Sequence, residues 1–434
     1  MVMSIDLSTD LMQSKIFVHL PAYREPELIP TIEDALAQAA NPKRIIFGIC
    51  RQYHPDDDFD NLDKYRKDKR FKIYDIPHEK AKGLPYARAI INEKLLENED
   101  YVLQLDSHHR FIKHWDKELI TMHSNLEKDG YKPLLTGYLP EYKPFEEPNG
   151  RTDVPWFTRF NSFYPHGTIF IQPTLLRGWK NMKKPVPARF CSGHFCFGKN
   201  EWAKEIKHDT DIYFAGEELN LTVRSYTHGY DLFHPHKIVI WHATMREERD
   251  GILAWDDQHK RGDNTWYTQQ DIGRSKIRQL LKTEDNGFDL TGYDLGTVRS
   301  LRQYEKYAGI NFKLKAVQEY TAADQYPPNP QHLSQKSWED SFMKSTYHLV
   351  DITPEDLPGK DYNFILIAFD NKEGINIESQ YLEREEMEEF FTLGKPIHFE
   401  KSILSATKPA KVVYWGHSEK RGWAERKEIN LSND

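Results

Sequence analysis

The sequence predicts an α/β chain in which a doubly wound domain on a largely parallel sheet is followed by a smaller β-rich domain. Three observations predict this. Apolar strand patterns alternate with helical ones over the first hundred residues. The pattern then loosens, and the proline cluster Gln325-Tyr326-Pro327-Pro328-Asn329-Pro330 interrupts the chain ahead of a run of strand-like segments.

The first strand is expected over Lys15–Leu20. A helix should run from Pro26 to about Ala40, with Leu28, Ile29, Ile32, Ala35, Leu36 and Ala39 on its apolar face. Arg44–Ile49 reads as the second strand, which completes a βαβ unit with a right-handed crossover. Phe71–Ile76 gives a third strand, Leu84 to about Glu97 a second helix, and Tyr101–Leu105 a fourth strand. Pro85 suits the first turn of that helix. Beyond it, Gly167–Ile171 and His194–Phe197 read as short strands, Gly216–His228 as a helix, and Lys237–Trp241 as a strand that His242 ends. Helices are expected near Ser275–Leu281 and Val298–Tyr307. Residues 1–325 then form the larger domain, 326–339 a proline-rich linker, and 340–434 a β-rich accessory domain. That last domain runs from Phe364–Phe369 to Lys411–Trp415, with a short acidic helix near Glu383–Phe391. Ligands of doubly wound sheets bind beyond the carboxyl ends of the strands, where Asp106 and His108 fall.

Side chains alternate along a strand, so Asp106 and His108 project to one side if the extended geometry continues through Ser107. One metal ion would then reach both. Asp-Ser-His after a strand also fits an ordinary turn, with Asp106 bonding nearby backbone amides. His242 follows another apolar strand and offers a third ligand; one carboxylate with imidazoles suits Mn²⁺ or a similar ion. The alternative is a core histidine with its bonds satisfied. Glu217 and Glu218 stand at a helix start, where acids are favoured by about 0.3–1 kcal/mol through the dipole alone. Successive helical residues diverge by about 100°, so at most one of them should face a substrate. In Ser192-Gly193-His194 the glycine allows close approach of backbone to a ligand. Arg88 is within reach of a phosphate or ribose. Trp241 and the stretch from Trp255 to Trp266 flank a polar segment suited either to closing over a ligand or to plain surface covering.

Composition narrows the alternatives. The 434 residues carry a net charge of -8, which works against a dedicated nucleic-acid binder. Mean hydropathy is -0.74 and 29% of residues are charged, and nothing approaches the roughly 18 continuous apolar residues of a membrane helix. With no secretory leader pattern at Met1-Val2-Met3-Ser4 and only three cysteines, Cys50, Cys191 and Cys196, a cytoplasmic protein with reduced, buried thiols is expected. Phosphate-loop, dinucleotide and nucleophile-elbow motifs are absent from the sequence.

Five blocks carry a resemblance: Pro21-Ala22-Tyr23-Arg24-Glu25-Pro26-Glu27, Phe47-Gly48-Ile49-Cys50-Arg51-Gln52, Gly83-Leu84 with Ala87-Arg88, Leu105-Asp106-Ser107-His108 with Arg110-Phe111, and Ala215-Gly216-Glu217-Glu218. In order and spacing, over about residues 14–245, they resemble glycosyltransferase family 60, which includes cytoplasmic enzymes that add N-acetylglucosamine to hydroxyproline of a ubiquitin-ligase subunit. More distantly the chain is similar to the mucin-type polypeptide N-acetylgalactosaminyltransferases. Both families are retaining, metal-dependent enzymes of GT-A fold.

The resemblance implies that Asp106, His108 and His242 bind Mn²⁺ or Mg²⁺ and that Asp106 and Ser107 also meet the nucleotide. Pro21, Ala22, Tyr23, Arg24, Glu25, Arg51 and Gln52 would line the uridine pocket, with Leu84 and Arg88 near ribose or diphosphate. Ser192, Gly193, His194 and Glu217 would face the donor sugar. Glu217 and Glu218 are the catalytic candidates, although Glu218 stands where the mucin-type enzymes have Asn. The implied function is transfer of a sugar, GlcNAc from UDP-GlcNAc, to a hydroxyl of a protein or glycan. The C-terminal domain has no equivalent in the simplest family members and would bind acceptor or form a homo-oligomer. Rival functions are an inactive scaffold that binds carbohydrate or protein, and a sugar-nucleotide phosphotransferase or nucleotidyltransferase.

Overall fold

The computed structural model describes residues 13–245, 250–262, 265–332 and 334–431. Contacts divide the chain into two units that do not follow it in order. The first comprises residues 1–161, 168–308 and 324–329; the second comprises 162–167, 309–323 and 330–434.

The first unit is α/β, as expected. Its strands are β1 (Ile16–Tyr23), β2 (Ile45–Tyr53), β3 (Phe71–Pro77), β4 (Tyr101–Leu105), β5 (His109–Phe111), β6 (Pro133–Thr136), β7 (Trp156–Phe163, which runs into the second unit), β8 (Ile169–Leu175), β9 (Val186–Pro187), β10 (Phe195–Lys199), β11 (Asp231–His234) and β12 (Ile240–His242). Eight of them form one sheet in the order β3-β2-β1-β4-β10-β6-β11-β9. The run β3-β2-β1-β4 is parallel, β10 is antiparallel to β4 and β6, and β9 is antiparallel to β11. β12 pairs with β5, and β7 with β8, as separate two-stranded ribbons.

Helices cover both faces. α1 (Leu28–Gln38) and α2 (Leu84–Lys94) take one face each: Leu28, Ile32 and Ala35 of α1 pack with Ile16, Val18 and Leu20 of β1, whereas Ala87, Ile90 and Ile91 of α2 pack with Phe17 and Val102 on the opposite face. Alternate β1 residues thus enter different cores, as the two-residue strand period requires. A further helix, α3 (Trp115–Lys128), adds Trp115, Leu119, Met122 and Leu126 to the first core. The second core also takes Leu221 from α4 (Glu217–Thr227). α5 (Ala254–Lys260) and α6 (Thr265–Leu280) follow β12, so the helix expected near Ser275–Leu281 begins ten residues earlier. All three cysteines are free and buried.

The second unit holds two antiparallel sheets. One orders β13 (Ile310–Asn311), β14 (Ala316–Gln318), β15 (Phe342–Ile352) and β18 (Ile397–Ser405). The other is built on β16 (Phe364–Asp370), β17 (Asn376–Glu383) and β19 (Lys411–Ser418), with β20 (Gly422–Trp423) and β21 (Lys427–Asn430) at its edge. Ile365, Ile367 and Phe369 alternate inward from β16 onto Phe399, Val412 and Tyr414. Residues 335–340, within the stretch read as a linker, form a helix that Ser334 caps by accepting from the Ser337 amide.

Gly48 of β2 explains how β1 and β2 approach. A Cβ built there would lie 2.0 Å from the Phe17 ring, and Phe17 is fully buried. Gly48→Ala should therefore destabilise the protein by about 1–3 kcal/mol through overpacking, read as a lower urea midpoint; an unchanged midpoint would mean that the Phe17 ring moves aside without cost.

Candidate active site

β1 and β4 are parallel neighbours in the middle of the sheet, and the chain leaves them toward opposite flanks. The crevice beyond their carboxyl ends is the topological switch point of the fold. Tyr23, Arg24 and Glu25 lie at or just past the end of β1, and Asp106 lies just past β4.

Asp106 keeps 22% of its side chain exposed at this crevice. The extended geometry stops at Leu105 and the backbone bends at Ser107, so strand alternation does not bring Asp106 and His108 together as the sequence suggested. The bend does so: His108 Nε2 stands 3.9 Å from Asp106 Oδ2. His242 Nε2 reaches the same oxygen at 3.6 Å. One ligand atom from each of the three residues lies within 4.8 Å of the others. β12 spans Ile240–His242 rather than the expected Lys237–Trp241, which makes His242 a paired strand residue opposite His109. Its N–H donates to the Pro140 carbonyl at 3.0 Å and its carbonyl accepts from Tyr142 at 3.2 Å, which fixes the backbone on both sides.

These donors fit a divalent ion of the Mn²⁺ type: a carboxylate and two imidazoles whose Nε2 atoms approach the same carboxylate oxygen. Glu25 supports the fit, because its Oε2 holds His108 Nδ1 at 3.0 Å and so leaves Nε2 facing Asp106. His109 does not join them. Its Nδ1 faces the Trp241 carbonyl at 3.0 Å, and its Nε2 accepts from the Asp106 amide at 3.2 Å. Burial, aided by His242 and His108, holds His109 well below the usual histidine range, consistent with that accepting nitrogen.

Arg88, in the second turn of α2, is completely buried between two carboxylates. Its guanidinium donates to Asp106 Oδ1 at 2.6 Å and to Glu217 Oε1 at 2.5 Å. Burial alone would raise the Asp106 carboxyl, but His242, Arg88 and His108 outweigh it and hold the group well below the usual carboxylate range. Glu217 behaves alike: burial opposes ionisation, and Arg88 with His208 reverses the balance. His208 Nδ1 is 3.2 Å from Glu217 Oε1, in electrostatic contact though off the direction of a hydrogen bond.

Glu218 differs from its neighbour. Its Oε1 accepts from the Gly193 amide at 2.9 Å and its Oε2 from the Tyr138 hydroxyl at 3.2 Å. These two donors do not offset burial and the Glu217 charge, and its carboxyl is pushed up to about 7. Glu218 as a whole residue is half-buried. Successive helical residues were expected to part, yet both carboxylates border Gly193: a Cβ built there would be 3.1 Å from Glu217 Oε2 and 3.5 Å from Glu218 Cγ. His194 closes this side. Its Nδ1 faces the Ser192 hydroxyl at 3.0 Å, its Nε2 accepts from the Leu139 amide at 3.1 Å, and its ring stacks on His242 with centroids 4.2 Å apart.

The remaining candidates occupy the β1–β2 rim. Pro21 and Ala22 are buried in β1, where Ala22 pairs with Arg51 and Tyr23 with Gln52. Arg51 is held by Asp60 at 2.6 Å, and the Gln52 carbonyl accepts from the Arg24 amide at 3.0 Å. Leu84 opens α2 with its amide on the Tyr213 carbonyl at 3.0 Å, and the buried Ser107 offers its carbonyl to Thr31 Oγ1 at 3.1 Å. Asp257 of α5, which sequence reasoning did not single out, accepts from the Tyr23 hydroxyl at 2.6 Å and lies 3.4 Å from Arg24. The segment from Trp255 to Trp266 is thus largely helical and reaches this rim; residues 246–249 and 263–264 lie outside the described residues. Tyr138, His208 and Gln104 also escaped notice. Only Gln104 left a signal, as the one polar residue in the apolar run Tyr101–Leu105.

The sequence matches the family model described as glycosyltransferase (GlcNAc) over residues 15–70 and 58–314, well over half of the chain. No curated protein matches it. Among solved structures it is similar to GalNAc-T7 with UDP, GalNAc and Mn²⁺, at 12% identity and a TM-score of 0.47 over 97% of this chain and 80% of that one. It is also similar to S. aureus TarS 1-349 in complex with UDP-GlcNAc, at 13% identity and a TM-score of 0.38 over 64% and 69% of the two chains. With well over half of its length matched by the family model, the chain belongs to the glycosyltransferase (GlcNAc) family and is a glycosyltransferase.

Proposed function

We propose that the protein is a retaining, metal-dependent glycosyltransferase of GT-A type that moves GlcNAc from UDP-GlcNAc to a hydroxyl of a protein or glycan. The convergence of Asp106, His108 and His242 at the switch point carries this proposal, and the family description supports GlcNAc as the sugar. A divalent ion held there would offset the charge that develops on the departing diphosphate. Asp106 and the imidazoles of His108 and His242 would hold that ion, with Glu25 holding His108 Nδ1 so that Nε2 is left for it. Tyr23, Arg24, Arg51 and Gln52 form the uridine side of the crevice. Arg88 keeps Asp106 and Glu217 ionised.

Glu217 and Gly193 border the space for the donor sugar, and His194 and Ser192 complete its wall. Same-face attack by an acceptor hydroxyl depends on positioning more than on a strong base. Glu218, with both oxygens accepting hydrogen bonds, sets a carboxylate beside the sugar, where it stabilises positive charge developing at the reacting carbon. The second unit, which includes residues 309–323 and 330–434, would serve acceptor binding or self-association, and the three free thiols suit a cytoplasmic setting.

Asp106→Asn and His242→Ala should each lower Mn²⁺-dependent UDP release from UDP-GlcNAc by about 10²-fold or more while the protein stays folded. Turnover and metal affinity like the wild type in both variants would exclude the metal assignment, and release of a sugar phosphate in place of UDP would identify a phosphotransferase. Glu218 ionises through about pH 7 and the arrangement seen uses its carboxylate, so activity should climb between pH 6 and 8. Glu218→Gln should remove that inflection and lower turnover by about tenfold; an inflection that survives belongs to another group.

A further inference from the structure

Beneath the donor side of the crevice lie two polar side chains that the proposed chemistry does not use. Gln104 sits in the buried strand β4 and is 1% exposed; His208 is 2% exposed. A primary amide in such a strand is unfavourable unless both of its ends are bonded, and both are. Gln104 Nε2 donates to the Gly193 carbonyl at 2.8 Å, and its Oε1 lies 2.8 Å from His208 Nε2. Because the amide nitrogen serves Gly193, the amide oxygen must accept, and His208 donates to it from Nε2. His208 turns its other nitrogen to Glu217 Oε1, 3.2 Å away.

Three hydrogen bonds and one close electrostatic approach, His208 to Glu217, make a loop of contacts. Gly193 is gripped through its carbonyl by Gln104 on β4 and through its amide by Glu218 on α4. His208 links Gln104 back to Glu217, the residue beside Glu218. Strand, loop and helix are therefore joined at Gly193, and Glu217 stands beside that junction. We propose that Gln104 and His208 are positioning residues that lock the Ser192-Gly193-His194 loop to Glu217, so that the donor sugar meets both in a fixed relation. This rests on the transferase site proposed above, and neither residue touches the reacting atoms.

The test compares the full-length wild type with Gln104→Met, His208→Leu and His208→Gln, the last of which keeps an N–H for Gln104. Hydrogen exchange of peptides covering 190–196 should speed up by about tenfold in the Met and Leu variants, with peptides covering 364–370 unchanged and the Gln variant protected like the wild type. In the same two variants kcat with UDP-GlcNAc and Mn²⁺ should fall by about 10–100-fold, while KM for the donor and Kd for UDP stay within about twofold. His208→Gln should stay within about threefold of wild-type kcat. Unchanged exchange at 190–196 in Gln104→Met would overturn the lock. Faster exchange with unchanged kcat would overturn the positioning role, as would an equal loss in His208→Leu and His208→Gln. A wild type inert toward every UDP-sugar would remove the transferase proposal, and with it the catalytic purpose of the lock; the exchange comparison would still decide whether the lock exists.

Discussion

The site depends on Arg88. A fully buried guanidinium is tolerated only when its charge is paired, and here Asp106 and Glu217 provide the partners. They come from three separate elements, so satisfying one cation draws together the end of β4, the face of α2 and the start of α4. Two carboxylates around one cation leave a net negative charge beside His108 and His242. That surplus is an electrostatic environment in which a divalent cation is favoured. Removing either carboxylate would leave the other elements around an under-paired charge, a change that typically costs about 3–5 kcal/mol.

The adjacent Glu217 and Glu218 illustrate how surroundings separate two identical groups. Arg88 and His208 keep Glu217 ionised despite burial. Glu218 has only an amide and a phenol to set against burial and the charge next to it, and its carboxyl rises to about 7. A pair whose environments push their protonation apart can present a fixed charge and a titrating one within a single helical turn.

Local periodicity made the first half of the fold legible. β1, α1, β2, β3, α2 and β4 all have regular apolar spacing, and each lies within a few residues of its expected position. Asp106, His108 and His242 stood out as residue types at strand ends. Their convergence had a different cause from the one the strand pattern suggested: a bend at Ser107 and a strand β12 that ends one residue later than expected and so includes His242. The partners of these residues were invisible because they are set by tertiary contact. Glu25 reaches His108 across 83 positions and Arg88 reaches Glu217 across 129. Tyr138 and His208 lie in irregular segments without a pattern of their own. α3 was overlooked despite its apolar face, since it follows the short β5 rather than a recognisable strand.

The discontinuous second unit has a practical consequence for dissecting the chain. β14 precedes the proline cluster, whereas its partner β15 follows it, with Val317 opposite Met343. Ala316 packs on Trp338 and Phe342, and the Gln318 side chain donates to the Trp338 carbonyl at 2.6 Å. An accessory fragment begun at the prolines would lose this strand, uncover two aromatic rings and present the unpaired edge of β15, which invites edge-to-edge aggregation. Begun at residue 309 instead, the fragment retains both strands that close that edge.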